Sequence, residues 1–330
     1  MIRYLRHHQL DKTQWDACIS ASAERQVYAL SWYLDVVSPG WCAVVEEEQG
    51  RYVAVLPLPV ARKLGVQYLR QPLFCQQLGV FATAQYDYNK VGELLEVARS
   101  HFSLSTTYSF NTANTKALQQ VPELQQELQT FFTHYLRLDK PYESLYRHYS
   151  RDRKLNLRRA QQANLQVVER DDPEPMITFF REHVQHKIYG GVAEEAYTLL
   201  RRLYRELQSR QMVKMWYTAT ADGELNAAAM FMFYGDRIIY LFNAANAAGR
   251  AGNGRTLLLN EVIKQNANSS RILDFESPQL ENIAHFYASF GSTAVPFRMW
   301  QFNRLPLPLK LLRQLRMDIY RKFTDNSKQK

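Results

Sequence analysis

Three strand-length apolar segments, Met212 to Ala219, Leu225 to Tyr234 and Arg237 to Ala244, follow one another with only "ADGE" and "YGDR" between them. Links this short, with a glycine in each, join antiparallel neighbours. A chain that spends three successive strands on a meander is not building a doubly wound sheet, which alternates strand with helix. Directly after the meander comes "NAANAAGRAGNGRT", residues 243 to 256, and then the leucine-rich run Leu257 to Ile263. From Gly249 the letters G-R-A-G-N-G-R-T approximate the P-loop pattern G-x-x-x-x-G-K-[ST], with Arg255 in the place of the lysine. A P-loop follows the first strand of an alternating sheet and needs the lysine's point charge on the phosphates, so both context and residue speak against it. The glycines Gly249, Gly252 and Gly254 also spell G-x-x-G-x-G, and a plain strand-to-helix turn is the third reading.

Around this centre the second half reads as strand Leu165 to Glu169, helices Pro173 to Lys187 and Glu194 to Ser209, the meander, the loop, and a helix from Thr256 to about Asn266. Strand Arg271 to Phe275, helix Gln279 to Phe290 and strand Val295 to Phe302 complete it. The first half repeats the plan in weaker form. It has strand Ile2 to Leu5, helices Lys12 to Ser20 and Ala29 to Val37, strands Trp41 to Glu47, Tyr52 to Val60 and Gln67 to Gln71, helix Lys90 to His101, and strands Thr106 to Phe110 and Thr130 to Arg137. Only Gly79 stands where the second half has its loop, so any phosphate site belongs to the second half. A tandem duplication is the economical account of 330 residues that are 46% hydrophobic, enough for two cores. The expected division is 1–138, 139–305 and a basic tail 306–330.

Lys and Arg exceed Asp and Glu by 41 to 32, a net charge of +9 that favours anionic partners. Between the halves, "PYESLYRHYSRDRKLNLRRAQQA" (141–163) reads as a helix carrying Arg151, Arg153, Lys154, Arg158 and Arg159, either a solvated connector or an anion-facing surface. Cys18, Cys42 and Cys75 have no C-x-x-C pairing or ligand spacing, which speaks against a disulfide framework or a zinc site. His183 and His186 lack a third ligand, so no metal is expected. The N-terminal stretch lacks a signal peptide's apolar region and no run approaches 18 apolar residues, so a cytoplasmic protein is expected. In "LPLPLKLLRQLRMDIYRKF", Leu312, Leu315, Ile319 and Phe323 share a face ringed by Lys310, Arg313, Arg316, Arg321 and Lys322. Such a helix can lie on an anionic membrane, although a terminal helix more commonly docks on its own domain.

The element order and the placement of G-x-x-G-x-G resemble the GNAT superfamily of acyl-CoA N-acyltransferases, whose R/Q-x-x-G-x-G/A loop holds the coenzyme A pyrophosphate against a helix N-terminus. The resemblance implies an α/β (α+β) fold, two tandem GNAT-like domains, each a mixed, mainly antiparallel sheet flanked by helices. It implies an acyl-CoA site at Phe242, Asn243, Ala244, Gly249, Arg250, Gly252, Asn253, Gly254 and Arg255. Gly249 departs from the pattern, standing where an Arg or Gln is usual, and Arg250 or Arg255 is expected to compensate. "ENIAHFYASFG" resembles the family's later helix, which implies Tyr287 as the acid that protonates the departing thiolate. Glu276, at a strand end, is the candidate base, with Asp274 alternating to the other face. The duplicated plan and "SRDRKLNLRRAQQANLQVVE" resemble the Fem-type peptidoglycan aminoacyltransferases and FemAB-like proteins. That branch's F-E-G-S is Phe275-Glu276-Ser277-Pro278 here, without the glycine, and the long helical hairpin of tRNA-dependent members is not evident. The expected donor is therefore acetyl-CoA or another acyl-CoA and the acceptor a small-molecule or peptide amine. A tRNA-dependent aminoacyltransferase, the one reading with a nucleic-acid partner, and a non-catalytic binding module are the alternatives.

Overall fold

The computed structural model of the chain describes residues 1–315 apart from 64, 189 and 278. In the first half, β1 (Ile2–Leu5) leads to α1 (Lys12–Ala21) and α2 (Ser31–Val37). Strands β2 (Cys42–Glu48), β3 (Arg51–Leu58), β4 (Val60–Lys63), β5 (Val66–Arg70) and β6 (Phe81–Ala82) follow, then α3 (Val91–His101), β7 (Leu104–Thr107), α4 (Asn114–Gln119) and β8 (Leu128–Arg137). In the second half, α5 (Tyr142–Arg147) and α6 (Arg151–Gln162) precede β9 (Gln166–Glu169), α7 (Glu174–His183) and α8 (Glu194–Ser209). The meander is β10 (Val213–Ala219), β11 (Leu225–Tyr234) and β12 (Arg237–Ala245). It is followed by α9 (Ala247–Ala251), α10 (Gly254–Asn266), β13 (Ile272–Asp274), α11 (Glu281–Ala288), β14 (Thr293–Trp300) and β15 (Phe302–Asn303). The arginine-rich connector is two helices, because Ser150 restarts the chain by accepting a hydrogen bond from the Arg153 N–H as an N-cap.

The large sheet runs β14-β8-β13-β12-β11-β10-β9, antiparallel except where β12 meets β13. The first half carries two four-stranded sheets, β1-β2-β3-β6 and β15-β7-β5-β4. The halves exchange strands. β8, first-half by position in the chain, is hydrogen-bonded between β13 and β14 of the large sheet, and β15 pairs with β7 of the first half. A cut at residue 138 thus separates β8 from the sheet that holds it.

One face of the large sheet shares a continuous apolar core with the first half, in which Tyr197, Leu200, Met230 and Ile239 join Trp15, Tyr28 and Trp41. The other face packs Trp216, Phe231 and Tyr240 against Leu258, Leu259 and Val262 of α10 and Tyr287 and Phe290 beyond it. At the end of the described chain, Leu307, Leu311, Leu312 and Leu315 are 59–73% exposed, so the tail does not dock on its own domain through them. Arg316, Ile319, Arg321, Lys322 and Phe323 lie outside the described residues.

Candidate active site

β12 and β13 diverge. Their parallel pairing covers only Arg237–Ile239 against Ile272–Asp274, and β12 then runs on to Ala245 with that edge unpaired by β13. Opposite, on β11, Met230 pairs with Phe242 but Phe231 pairs with Tyr240, leaving Leu241 as a bulge. A bulge adds a residue on one strand and bends it, so the sheet opens where β12 passes Phe242 to Ala244. Phe242 is half-buried and meets Phe180 of α7 and Phe74 of the first half, at 4.7 and 6.0 Å between ring centroids. Its neighbour Asn243 is held on the opposite side by Arg255, whose Nη1 donates to Asn243 Oδ1 at 3.2 Å.

The glycine loop is not an open loop. Asn246 caps the short helix α9 by accepting from the Gly249 N–H at 2.8 Å, and Asn253, left-handed at φ 59°, redirects the chain into α10. Two of the glycines are small because the fold leaves no room for a side chain. A Cβ on Gly249 would lie 2.0 Å from the Asn226 carbonyl oxygen, and one on Gly254 2.6 Å from Thr218 Oγ1 and 2.8 Å from Ala227 Cβ. Gly252 is looser, with its nearest atoms at 3.2 Å. Gly249 and Gly254 thus let α9 and α10 press onto β10 and β11, and this seats the N-terminus of α10 beside the opened strand. Gly249 is buried and has no room for the usual Arg or Gln.

Cations gather at that N-terminus. Arg250 is exposed and donates to the Ala245 carbonyl at 2.8 Å. Arg255 lies 5.4 Å from the Phe286 ring centroid. Arg153 of α6, 6% exposed, donates through Nε to Ser289 Oγ at 2.9 Å and through Nη1 to Thr256 Oγ1 at 2.5 Å. Its guanidinium stands 4.2 and 4.8 Å from the rings of Phe286 and Phe290. Burial, and then the like charge of Arg255, lower its pKa to about 10. A buried cation whose hydrogen-bond partners are neutral hydroxyls, beside a second cation and a helix N-terminus, is an arrangement that an anion completes. The sequence marked Arg153 only as one of five basic residues on a connector.

Tyr287 is 5% exposed, stacked on Phe275 at 4.8 Å and edge-on to Tyr240 at 6.1 Å. Burial holds its phenol well above the ordinary tyrosine range, Arg255 opposing the shift and Glu276 adding to it. Tyr287 is therefore a weaker acid than a free phenol. Tyr240 beside it carries a buried hydroxyl with no hydrogen-bond partner.

Glu276 follows β13 at φ +46°, its N–H donating to Asp274 Oδ1 at 3.0 Å. Its carboxylate accepts a hydrogen bond from the Tyr28 hydroxyl of the first half. Burial raises its pKa to about 8. Asp274, 3% exposed, accepts from Thr133 Oγ1 at 2.9 Å and does not share this position. Glu276 and Tyr287 are close enough to influence each other's charge. Tyr28 went unnoticed, since nothing in "QVYAL" distinguishes a tyrosine that crosses to the other half. Among the described residues no group of three His, Cys, Asp or Glu is placed to hold a metal ion.

Comparison with known proteins agrees with this fold. Residues 145–275 match the family model described as Acetyltransferase (GNAT) domain. Among solved structures, FemX superposes with a TM-score of 0.64 at 12% identity, over 93% of this chain and 99% of its own. A tandem GNAT protein from the clavulanic acid biosynthesis pathway gives 0.55 at 12%, over 93% and 99%. An acetyltransferase of the GNAT family from Colwellia psychrerythraea gives 0.50 at 12%, over 92% and 100%. No curated protein matches significantly. Residues 145–275 thus match a GNAT acetyltransferase domain, and the chain as a whole has a GNAT-type, Fem-like fold.

Proposed function

We propose that this GNAT-fold chain is an N-acyltransferase that moves an acyl group from acyl-CoA to an amine in the opening between β12 and β13. The observation that carries the reading is the convergence there of a bulged, half-unpaired strand, the α10 N-terminus with Arg255 and Arg153, and the pair Glu276 and Tyr287. The residues fit such a donor, because the buried Arg153 donates to two neutral hydroxyls and the buried Tyr240 hydroxyl lacks a partner. Arg250, Arg255 and Arg153 with the first turn of α10 would hold the phosphates, and Phe242 to Ala244 would flank the thioester. Bound acyl-CoA supplies an activated carbonyl and a thiol leaving group. The protein's own contribution is alignment, worth about 7–11 kcal/mol in favourable cases, and proton handling. Glu276 would take the amine's proton and Tyr287 would face the departing sulfur.

The strand exchange makes the first half part of this unit, because Tyr28 and Phe74 reach Glu276 and Phe242. We therefore read 1–138 and 139–305 as two GNAT-like units sharing one active site. The exposed leucines of 307–315, with Lys310 and Arg313 among them, favour a peripheral seat on an anionic membrane. Incubation with acetyl-CoA and a panel of primary amines, following thiol release, tests the activity. Release that requires both an amine and Glu276 supports it, and none from folded protein across the panel refutes it. Seryl- or alanyl-tRNA in place of acetyl-CoA tests the tRNA-dependent alternative.

A further inference from the structure

Successive side chains of a strand point to opposite faces of its sheet, so β12 presents two different surfaces at the opening. Asn243 is held on the α10 face by Arg255. Phe242 turns the other way, toward the first half, where its ring meets Phe180 of α7 and Phe74, and all three rings are only half-buried. Glu276 reaches the first half as well, through the Tyr28 hydroxyl. Phe74 is held in strain. Its φ is +60°, a conformation that glycine adopts freely and a bulky residue does not. The Tyr33 hydroxyl donates to the Phe74 carbonyl and Gln71 Nε2 to the Cys75 carbonyl at 3.0 Å, which fixes the turn. Strain kept by surrounding contacts is a mark of ligand clamps. The same loop is tied to the base, because Gln76 Nε2 donates at 3.4 Å to the carbonyl of Ser277, the residue after Glu276. Its glutamines are committed to one another and to the backbone. Gln77 Nε2 donates to Gln76 Oε1 at 3.0 Å, and Gln77 Oε1 accepts from the Thr112 N–H at 3.1 Å.

We propose that Phe74 sets acceptor specificity, forming with Phe242 and Phe180 an apolar wall that selects primary amines carried on an alkyl or aryl body. The inference rests on the acyl-transfer reading for its reaction. In that reaction the amine nitrogen bonds the acyl carbon as the C–S bond breaks, its proton going to Glu276 and one from Tyr287 to the thiolate. Three phenyl rings offer no hydrogen bond, so an amino sugar entering against them would leave hydroxyls stripped of water and unanswered. A methylene chain or a ring has no such groups, and it removes the exposed phenyl faces from water. Leu73 and Leu280, both exposed, add apolar surface on the two loops that the Gln76 bond joins.

Two readouts on the full chain separate this inference from the reading beneath it. Saturation-transfer NMR titration follows amine binding without a donor, and thiol release from acetyl-CoA follows turnover. The probes are hexylamine and phenethylamine against ethanolamine and glucosamine, on wild type, Phe74→Ala and Phe74→Leu. The expected result is that wild type binds the apolar pair at least tenfold more tightly and turns it over with at least tenfold higher kcat/KM, the difference lying in KM. Phe74→Ala should lose at least tenfold of that preference in both readouts. Phe74→Leu, which returns an apolar side chain to the same strained backbone, should recover most of it. Selective binding that is lost in Phe74→Ala, with no turnover of any amine, would leave the apolar wall standing and count against acyl transfer alone. Polar amines bound and turned over as well as apolar ones, or a preference unchanged in Phe74→Ala, would overturn the proposal and leave acyl transfer standing.

Discussion

Glu276 is the residue whose charge state the fold controls most directly. With its pKa at about 8 against an ordinary glutamate value near 4.3, the folded chain holds a proton that the unfolded chain has released between those values. Stability therefore falls as pH rises through this window, by the proton-binding difference between the two states. Glu276→Gln should melt higher than wild type at pH 9 and match it at pH 4, a crossover that differential scanning calorimetry reads. In activity the sign reverses, because only the carboxylate accepts a proton. Transfer by wild type should rise through an apparent pKa near 8, and Glu276→Gln should lose that limb. Tyr28→Phe removes a donor to the carboxylate and should move the limb to higher pH, whereas a purely structural Tyr28 would leave it in place. Tyr287→Phe should lower kcat about 10²-fold with little change in KM if the phenol acts on the leaving sulfur.

At the scale of elements, the seat of α10 decides whether the site exists. Gly249 has no space for a methyl group, so Gly249→Ala must push α9 off β11 and should cost roughly 1–3 kcal/mol in chemical denaturation. Gly252→Ala, with neighbours only at 3.2 Å, should cost clearly less. The order of elements was legible because hairpin turns, periodic helices such as Glu194–Ser209 and the strand pair Leu225–Tyr234 and Arg237–Ala245 are local signals. The bulge at Leu241, the short helix α9 and the burial of Arg153 were not. Each depends on what a segment meets across the sheet, and spacing along the chain carries no record of that. The packing of Gly249 and Gly254 against β10 and β11 was hidden for the same reason, since sequence does not say which way a missing Cβ would point. The tail makes a further element-scale test. Vesicles of phosphatidylglycerol should co-sediment the full chain, phosphatidylcholine vesicles should not, and Lys310→Glu with Arg313→Glu should weaken the association.

For the whole molecule, the exchanged strands tie the halves into one unit. A fragment 139–305 lacks β8 and leaves facing edges of β13 and β14 open, so it should be unfolded or aggregated by circular dichroism and size-exclusion chromatography, while the full chain is not. The duplication was readable from two runs of similar elements, but the exchange was not, because β8 and β15 look like ordinary terminal strands of their own halves. The central claim is that the opening between β12 and β13 receives an acyl-CoA with its phosphates at the α10 N-terminus. Calorimetric titration with acetyl-CoA, on wild type and on Ala251→Asp, tests it most directly, since Ala251 is exposed beside that N-terminus and its substitution disturbs no packing. The account predicts one-site binding to wild type weakened at least tenfold in the variant. Folded wild type that binds no acetyl-CoA, or a variant that binds it equally well, would contradict it.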